Sequence, residues 1–145
     1  MFLFENFILY LIWAILIVIC YTDIRYRIIA NSIIIALFFI ILTNFFLGFG
    51  KLNYISALIF FIIGLIMYTF KLIGAGDIKL ITVLLLSLSY EEVWNFLIMM
   101  TLLGLPLAVI AIIWKMITKS KVTIPYGVAI GLSYIITTYL SLTST

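Results

Sequence analysis

The chain contains no histidine and a single cysteine, Cys20. Without histidine, a Ser-His or Cys-His catalytic pair is excluded, as are histidine-ligated zinc and haem. One cysteine permits neither an intramolecular disulfide nor a Cys-x-x-Cys metal site. Charge is almost as scarce: 9% of the 145 residues are Asp, Glu, Lys or Arg, while 68% are hydrophobic. A soluble domain is about a quarter charged, so this composition cannot cover a water-exposed globule with polar groups. A soluble enzyme, a disordered chain and a nucleic-acid-binding module are thereby excluded. The net charge of +3 sits in short, separated basic clusters rather than in one footprint. Acid–base chemistry near neutral pH is left to Asp, Glu, Lys, Tyr or Cys.

What is plentiful is long apolar sequence, for which the bilayer is the natural solvent. A crossing helix needs about 20 largely apolar residues. Six runs qualify or come close: 4–21, 28–47, 52–70, a short one at 77–90, 93–116 with Pro106 inside it, and 122–142. The connections are too short for a soluble domain, so residues 1–145 read as one all-α polytopic bundle. The first run carries Glu5 where a signal peptide would carry a base and lacks a small-x-small cleavage site, so it is expected to be a retained helix. Of the basic residues, Arg25, Arg27, Lys71, Lys79, Lys115, Lys119 and Lys121 fall in or beside the connections after runs one, three and five; Lys51 alone does not. Odd-numbered connections share a side, and the positive-inside rule makes it cytoplasmic. Glu5, Glu91, Glu92 and both termini then lie outside.

The same parity puts the only two aspartates, Asp23 and Asp77, at the cytoplasmic boundary although three crossings separate them. Each has an ordinary reading. Asp23 could close a helix beside Arg25 and Arg27, and Asp77 could be an N-cap. The run Gly74-Ala75-Gly76-Asp77-Ile78-Lys79 says more, because glycine allows close backbone approach and positive φ next to an acid. Two carboxyl groups brought together share a proton and titrate as a unit. Such a pair can activate a water against a peptide carbonyl with no covalent intermediate and no histidine. Cys20 lacks an activating base and reads as packing. Tyr10, Tyr54, Tyr90 and Tyr139 suit an outer aromatic belt.

The segment Tyr21-Thr22-Asp23-Ile24-Arg25-Tyr26-Arg27-Ile28-Ile29-Ala30-Asn31 resembles the first motif of type IV prepilin peptidases, in which an aspartate closes a helix and Ile-Pro-Asn follows. Gly74 to Lys79 resembles their second motif, GxGD with a following x-Lys. Ile124-Pro125-Tyr126-Gly127-Val128-Ala129 resembles a third segment opening the last helix. One departure is Ala30, where the motif has proline. Presenilin-like proteases share GxGD but are larger and place their other aspartate differently. The resemblance implies a membrane aspartic endopeptidase of the short form, without the Cys-x-x-Cys insert and methyltransferase of the longer members. It implies Asp23 and Asp77 as the catalytic pair. Gly74, Gly76, Lys79, Asn31, Pro125 and Gly127 would shape the site, with no metal or other cofactor. The implied partner is a prepilin-like precursor with a basic leader and a hydrophobic helix, cut at the cytoplasmic face of a prokaryotic cell membrane. Two other readings of the residues stay open: a small six-helix transport or substrate-binding subunit, and a purely structural membrane subunit.

Overall fold

The computed structural model describes residues 2–118 and 126–144, side chains at the chain ends and in the last turns of one helix excepted. Six helices follow one another: α1 (Phe2–Tyr26), α2 (Asn31–Phe46), α3 (Tyr54–Thr69), α4 (Ala75–Ser87), α5 (Tyr90–Thr118) and α6 (Tyr126–Ser144). Three of them contain stretches long and apolar enough to cross a membrane, Asn6–Tyr26, Tyr90–Ile110 and Tyr126–Thr143. The shorter helices α2 and α3 have 16 residues each, about 24 Å at 1.5 Å per residue. Pro106 lies inside α5, and the helix continues through it.

The core comes from helical spacing. On α1 the buried residues are Ile8, Ile12, Leu16 and Ile19, followed by Asp23. Steps of four, four, three and four residues put all five on one face. On α4 the buried Ile81 and Leu84 form a matching stripe that the buried C-cap residue Leu88 follows, and Asp77 stands one turn before Ile81 on the same side. Leu37 and Ile41 of α2, Phe96 of α5, and Ile130 and Tyr134 of α6 belong to the same cluster. Helices α1, α2, α4 and α6 pack around it, while α3 docks on α4 and α5 on α6. A Cβ on Gly64 of α3 would meet Ile78 Cγ2 at 2.7 Å, so glycine sets the α3–α4 approach. The opposite faces of the outer helices are left bare: Ile55, Leu58, Ile59, Ile62 and Ile66 on α3, and Ile98, Leu102, Leu105 and Val109 on α5, are all exposed.

Helix ends are set by local chemistry. Ser89 and Glu92 form a reciprocal capping box at the start of α5: Glu92 Oε2 accepts from Ser89 N–H at 2.7 Å, and Ser89 Oγ accepts from Glu92 N–H at 3.4 Å. This moves the helix start ahead of the expected residue 93: Tyr90, expected in the fourth run, and Glu91 and Glu92, expected in the connection, all belong to α5. Helix α3 ends in a Schellman turn, with Leu72 N–H on Met67 O at 3.1 Å and Lys71 N–H on Tyr68 O at 2.9 Å. Helix α1 ends in the simpler left-handed turn, with Arg27 N–H on Asp23 O at 3.0 Å. Arg27 and Lys71 occupy the left-handed position at φ 56° and 58°.

The helices run alternately between two ends. At one end the close of α1 and α3 meets the start of α2, α4 and α6. At the other, Asn6, Asn44, Lys51, Ser87, Glu92 and Ser141 line a cavity of about 370 Å³. The expected parity of Asp23 and Asp77 is therefore met in the sense that both lie at the same end of the bundle.

Ala30, the residue that departs from the proline of the motif, is the N-cap of α2 with φ −69° and ψ 128°. Its engaged backbone group is the carbonyl, which accepts from Ile33 and Ile34 N–H at 3.1 and 3.3 Å. That φ is the value a proline ring imposes. Ala30→Pro is therefore predicted to be tolerated and to stabilise the protein by about 0.4–1 kcal/mol by restricting the unfolded chain. Thermal unfolding in detergent checks it; a lowered midpoint would show that the turn into α2 differs from the one described.

Candidate active site

Asp23 and Asp77 line a single cavity of about 600 Å³. Arg27, Ile28 and Ile29 contribute the wall after α1, Lys71 and Leu72 the wall after α3, Gly74 and Gly76 the start of α4, and Tyr126 the start of α6. The two carboxyl groups lie within coulombic reach of each other. Each acid arrives there because it extends a buried stripe past its last apolar residue: Ile19 precedes Asp23 by one turn, and Ile81 follows Asp77 by one.

Asp23 is only 6% exposed, a costly position for an acid without partners. Its Oδ2 accepts the N–H of Gly127 at 2.7 Å. Gly127 is the second residue of α6, so the carboxylate sits at a helix N-terminus, where free N–H groups and the helix dipole favour an anion. Arg27 is close enough to interact with it electrostatically. Gly127 permits the contact by having no side chain: a Cβ there would meet Asp23 Oδ2 at 2.7 Å, Cγ at 3.0 Å and Cβ at 3.2 Å.

Asp77 is the third residue of α4, behind the N-cap Gly74. It is thus not the N-cap itself; its carboxylate instead takes the Gly74 backbone N–H, as the third residue of a capping box does. Of the two properties that single out the glycines of this run, close approach and positive φ, the structure uses the first. Gly74 is extended at φ −71° and ψ 143°, and Gly76 lies within the helix. What a side chain would disturb is space: a Cβ on Gly74 would stand 3.0 Å from Asp77 Oδ2, and one on Gly76 would stand 3.4 Å from Ile29 Cβ. The run is a helix start fitted closely against the acid and the α1–α2 connection.

Lys79 and Asn31 come together, with Lys79 Nζ donating to Asn31 Oδ1 at 3.1 Å. They tie α4 to the start of α2 beside the cavity and are not among the residues lining it. Pro125 lies outside the described residues. Among the described residues no group of three or more His, Cys, Asp or Glu is placed to hold a metal ion.

Several cavity residues were not singled out from the sequence. Arg27 and Lys71 read there only as topology charges. A left-handed conformation costs a residue with a Cβ roughly 1–2 kcal/mol, and these are the two non-glycine residues with positive φ among those described. Gly131 was also missed. A Cβ there would meet Cys20 Sγ at 2.6 Å and Leu16 O at 3.6 Å, so Gly127 and Gly131 together form the surface on which α1 lies against α6. The small-xxx-small spacing of the two glycines was the available signal.

A family model described as the type IV leader peptidase family matches residues 9–113. This is well over half of the chain, and the chain belongs to that family. The match makes it a peptidase of the leader-peptidase kind, and it includes Asp23 and the Gly74–Lys79 run but stops before Tyr126 and Gly127. No curated protein and no solved structure gives a significant match.

The α1–α6 contact yields a test independent of catalysis. Gly131→Ala is predicted to destabilise the protein by about 1–3 kcal/mol through overpacking, and Cys20→Ala in the same chain should recover most of the loss. Unfolding of the two single variants and the double variant decides it; additive effects would mean that the two side chains do not share the space.

Proposed function

We propose that the protein is a membrane-embedded aspartic endopeptidase that removes the leader of prepilin-like precursors, with Asp23 and Asp77 as its catalytic pair. The observation that carries this reading is the convergence of the two acids in one cavity, in a chain of the type IV leader peptidase family. Residues 1–145 act as one transmembrane peptidase domain, with no metal or other cofactor in the reaction.

All six helices cross the bilayer, with both termini outside and the acid-bearing end of the bundle at the cytoplasmic face. The exposed apolar faces of α3 and α5 support immersion in lipid, where such surface carries no hydration cost. The charges support the orientation: Arg25, Arg27, Lys71 and Lys79 cluster at the end that holds the acids, and Glu91 and Glu92 at the other. Helices α2, α3 and α4 are short for a ~30 Å hydrocarbon core. Their short ends admit the interface and its water to the cavity rim at Ile28, Leu72 and Gly74.

The substrate's hydrophobic helix lies in the same bilayer, so binding requires only lateral approach and an unwound segment at the interface. Its basic leader stays in the cytoplasm near the anionic lipid surface. The peptide bond between leader and helix then falls at the depth of the cavity. One carboxylate takes a proton from water as it attacks the carbonyl carbon, and the other, protonated, delivers its proton as the C–N bond breaks. Gly74, Gly76 and Gly127 keep the surroundings of the two acids free of side chains, and the Lys79–Asn31 bond fixes α4 against α2 beneath them.

Asp23→Asn and Asp77→Asn are each predicted to lower processing of a pilin-like precursor at least about 100-fold, the ordinary contribution of a general acid or base, with membrane insertion unchanged. A cleavage assay in membranes with quantified expression measures this. Near wild-type cleavage by either variant would refute the pair. Accessibility labelling of single cysteines placed at Lys51 and Lys71, in a Cys20→Ser background, tests the orientation: the first is expected to react from outside and the second from the cytoplasm, and the reverse pattern would overturn it.

A further inference from the structure

We infer that Arg27 is a positioning residue for the catalytic pair: from the left-handed end of α1 it holds the pair's negative charge on Asp23, which makes Asp23 the base and Asp77 the acid. This rests on the reading of Asp23 and Asp77 as the hydrolytic pair and divides their labour.

The first observation is conformational. A helix end that needs a left-handed residue takes glycine by default, yet α1 ends in arginine at φ 56°. Backbone strain of this kind persists where the surrounding structure enforces it, and it clusters at functional sites. The left-handed turn places Arg27 on the wall of the cavity that holds both acids, and the bond from its N–H to Asp23 O at 3.0 Å ties the two residues into one turn.

The second observation is the unequal surroundings of the two acids. Asp23 receives an N–H from another helix, Gly127 at 2.7 Å, and has Arg27 within coulombic reach. Asp77 receives the N–H of its own N-cap residue and faces the charge of Asp23. The cation nearest to it in sequence, Lys79, donates instead to Asn31. Among the described residues, the titratable and charged groups that line the cavity with Asp23 or interact with it are Cys20 and Arg27 of α1 and its end, Lys71 after α3, Asp77 of α4 and Tyr126 of α6. The stretch 28–30 and α2 bring no charge to it. A cation beside one member of a carboxyl pair fixes which member is ionised.

The resulting sequence balances. Asp23 accepts a proton from water as the water oxygen bonds to the carbonyl carbon. Asp77 gives its proton to the leaving nitrogen as the C–N bond breaks. The products are the leader's carboxyl terminus and the new amino terminus, and a proton passing from Asp23 to Asp77 restores the starting state.

The test is the pH dependence of kcat/KM for precursor cleavage by purified enzyme in lipid nanodiscs, for wild type, Arg27→Lys, Arg27→Gln, Arg27→Gly and Arg25→Gln. Arg27→Gly keeps the left-handed turn and removes only the side chain, so a failure to fold does not obscure the result. The acid limb should move up by about 1 pH unit in Arg27→Gln and Arg27→Gly, read as an approximately tenfold loss below the limb with activity retained on the plateau. Arg27→Lys and Arg25→Gln should leave the limb in place. The inference is overturned if the limb stays put in the Gln and Gly variants, if activity falls equally at every pH, or if Arg25→Gln moves it as far. Inactive Asp23→Asn and Asp77→Asn enzymes beside an unmoved limb would reject the division of labour alone; active ones would reject the pair itself.

Discussion

The Gly127 amide hydrogen on the Asp23 carboxylate is the contact on which the arrangement depends. It joins the end of α1 to the start of α6 at 2.7 Å, a separation possible only because Gly127 lacks a Cβ. It also supplies the buried acid with a donor that apolar surroundings would otherwise deny it. With α6 seated there, Tyr126 closes one wall of the cavity and Gly131 passes Cys20 without a clash. The contact thus serves packing and chemistry together, and a change that lengthens it disturbs both.

The two acids are delivered by the same periodicity that builds the core. Asp23 continues the Ile8–Ile12–Leu16–Ile19 face, and Asp77 precedes the Ile81–Leu84 face. Because those stripes pack inward, the acids at their ends point into the bundle rather than toward its surroundings. Farther along the helices polar side chains join the elements: Trp13 Nε1 donates to Thr138 Oγ1 at 3.0 Å, and Ser87 Oγ and Tyr134 OH share a hydrogen bond at 2.8 Å. These bonds fix the register of α1 and α4 on α6, and hence the height at which Asp23 and Asp77 emerge. Convergence of the acids is therefore set partly by residues about 15 Å along the helices from them.

The helices were legible in the sequence because apolar runs of this length leave few alternatives, and the shared end of Asp23 and Asp77 followed from counting them. Boundaries were less legible where polar side chains cap helices: Ser89 read as part of the fourth run and Glu92 as a connection, until their reciprocal bonds made Ser89 the cap of α5 and put Glu92 in its first turn. The glycines before Asp77 were legible as special on two grounds, close approach and positive φ, and only the first holds. Their φ values are ordinary, and it is the room their missing side chains leave that the structure uses. The left-handed Arg27 and Lys71 were not legible at all, since nothing in a basic residue after a helix announces that it will occupy the position glycine normally fills. Gly131 was written in the sequence four residues after Gly127, and only the α1–α6 contact gives that spacing its meaning.

The claim that the two carboxyl-bearing positions meet is tested most directly by chemical joining. Asp23→Cys and Asp77→Cys, combined in a Cys20→Ser chain and inserted in native membranes, should be linked in high yield by a short bifunctional thiol reagent, giving one intramolecular product that fails to separate after cleavage of the chain between them. Two thiols that each react readily with a monofunctional reagent yet are never linked to one another would contradict the account.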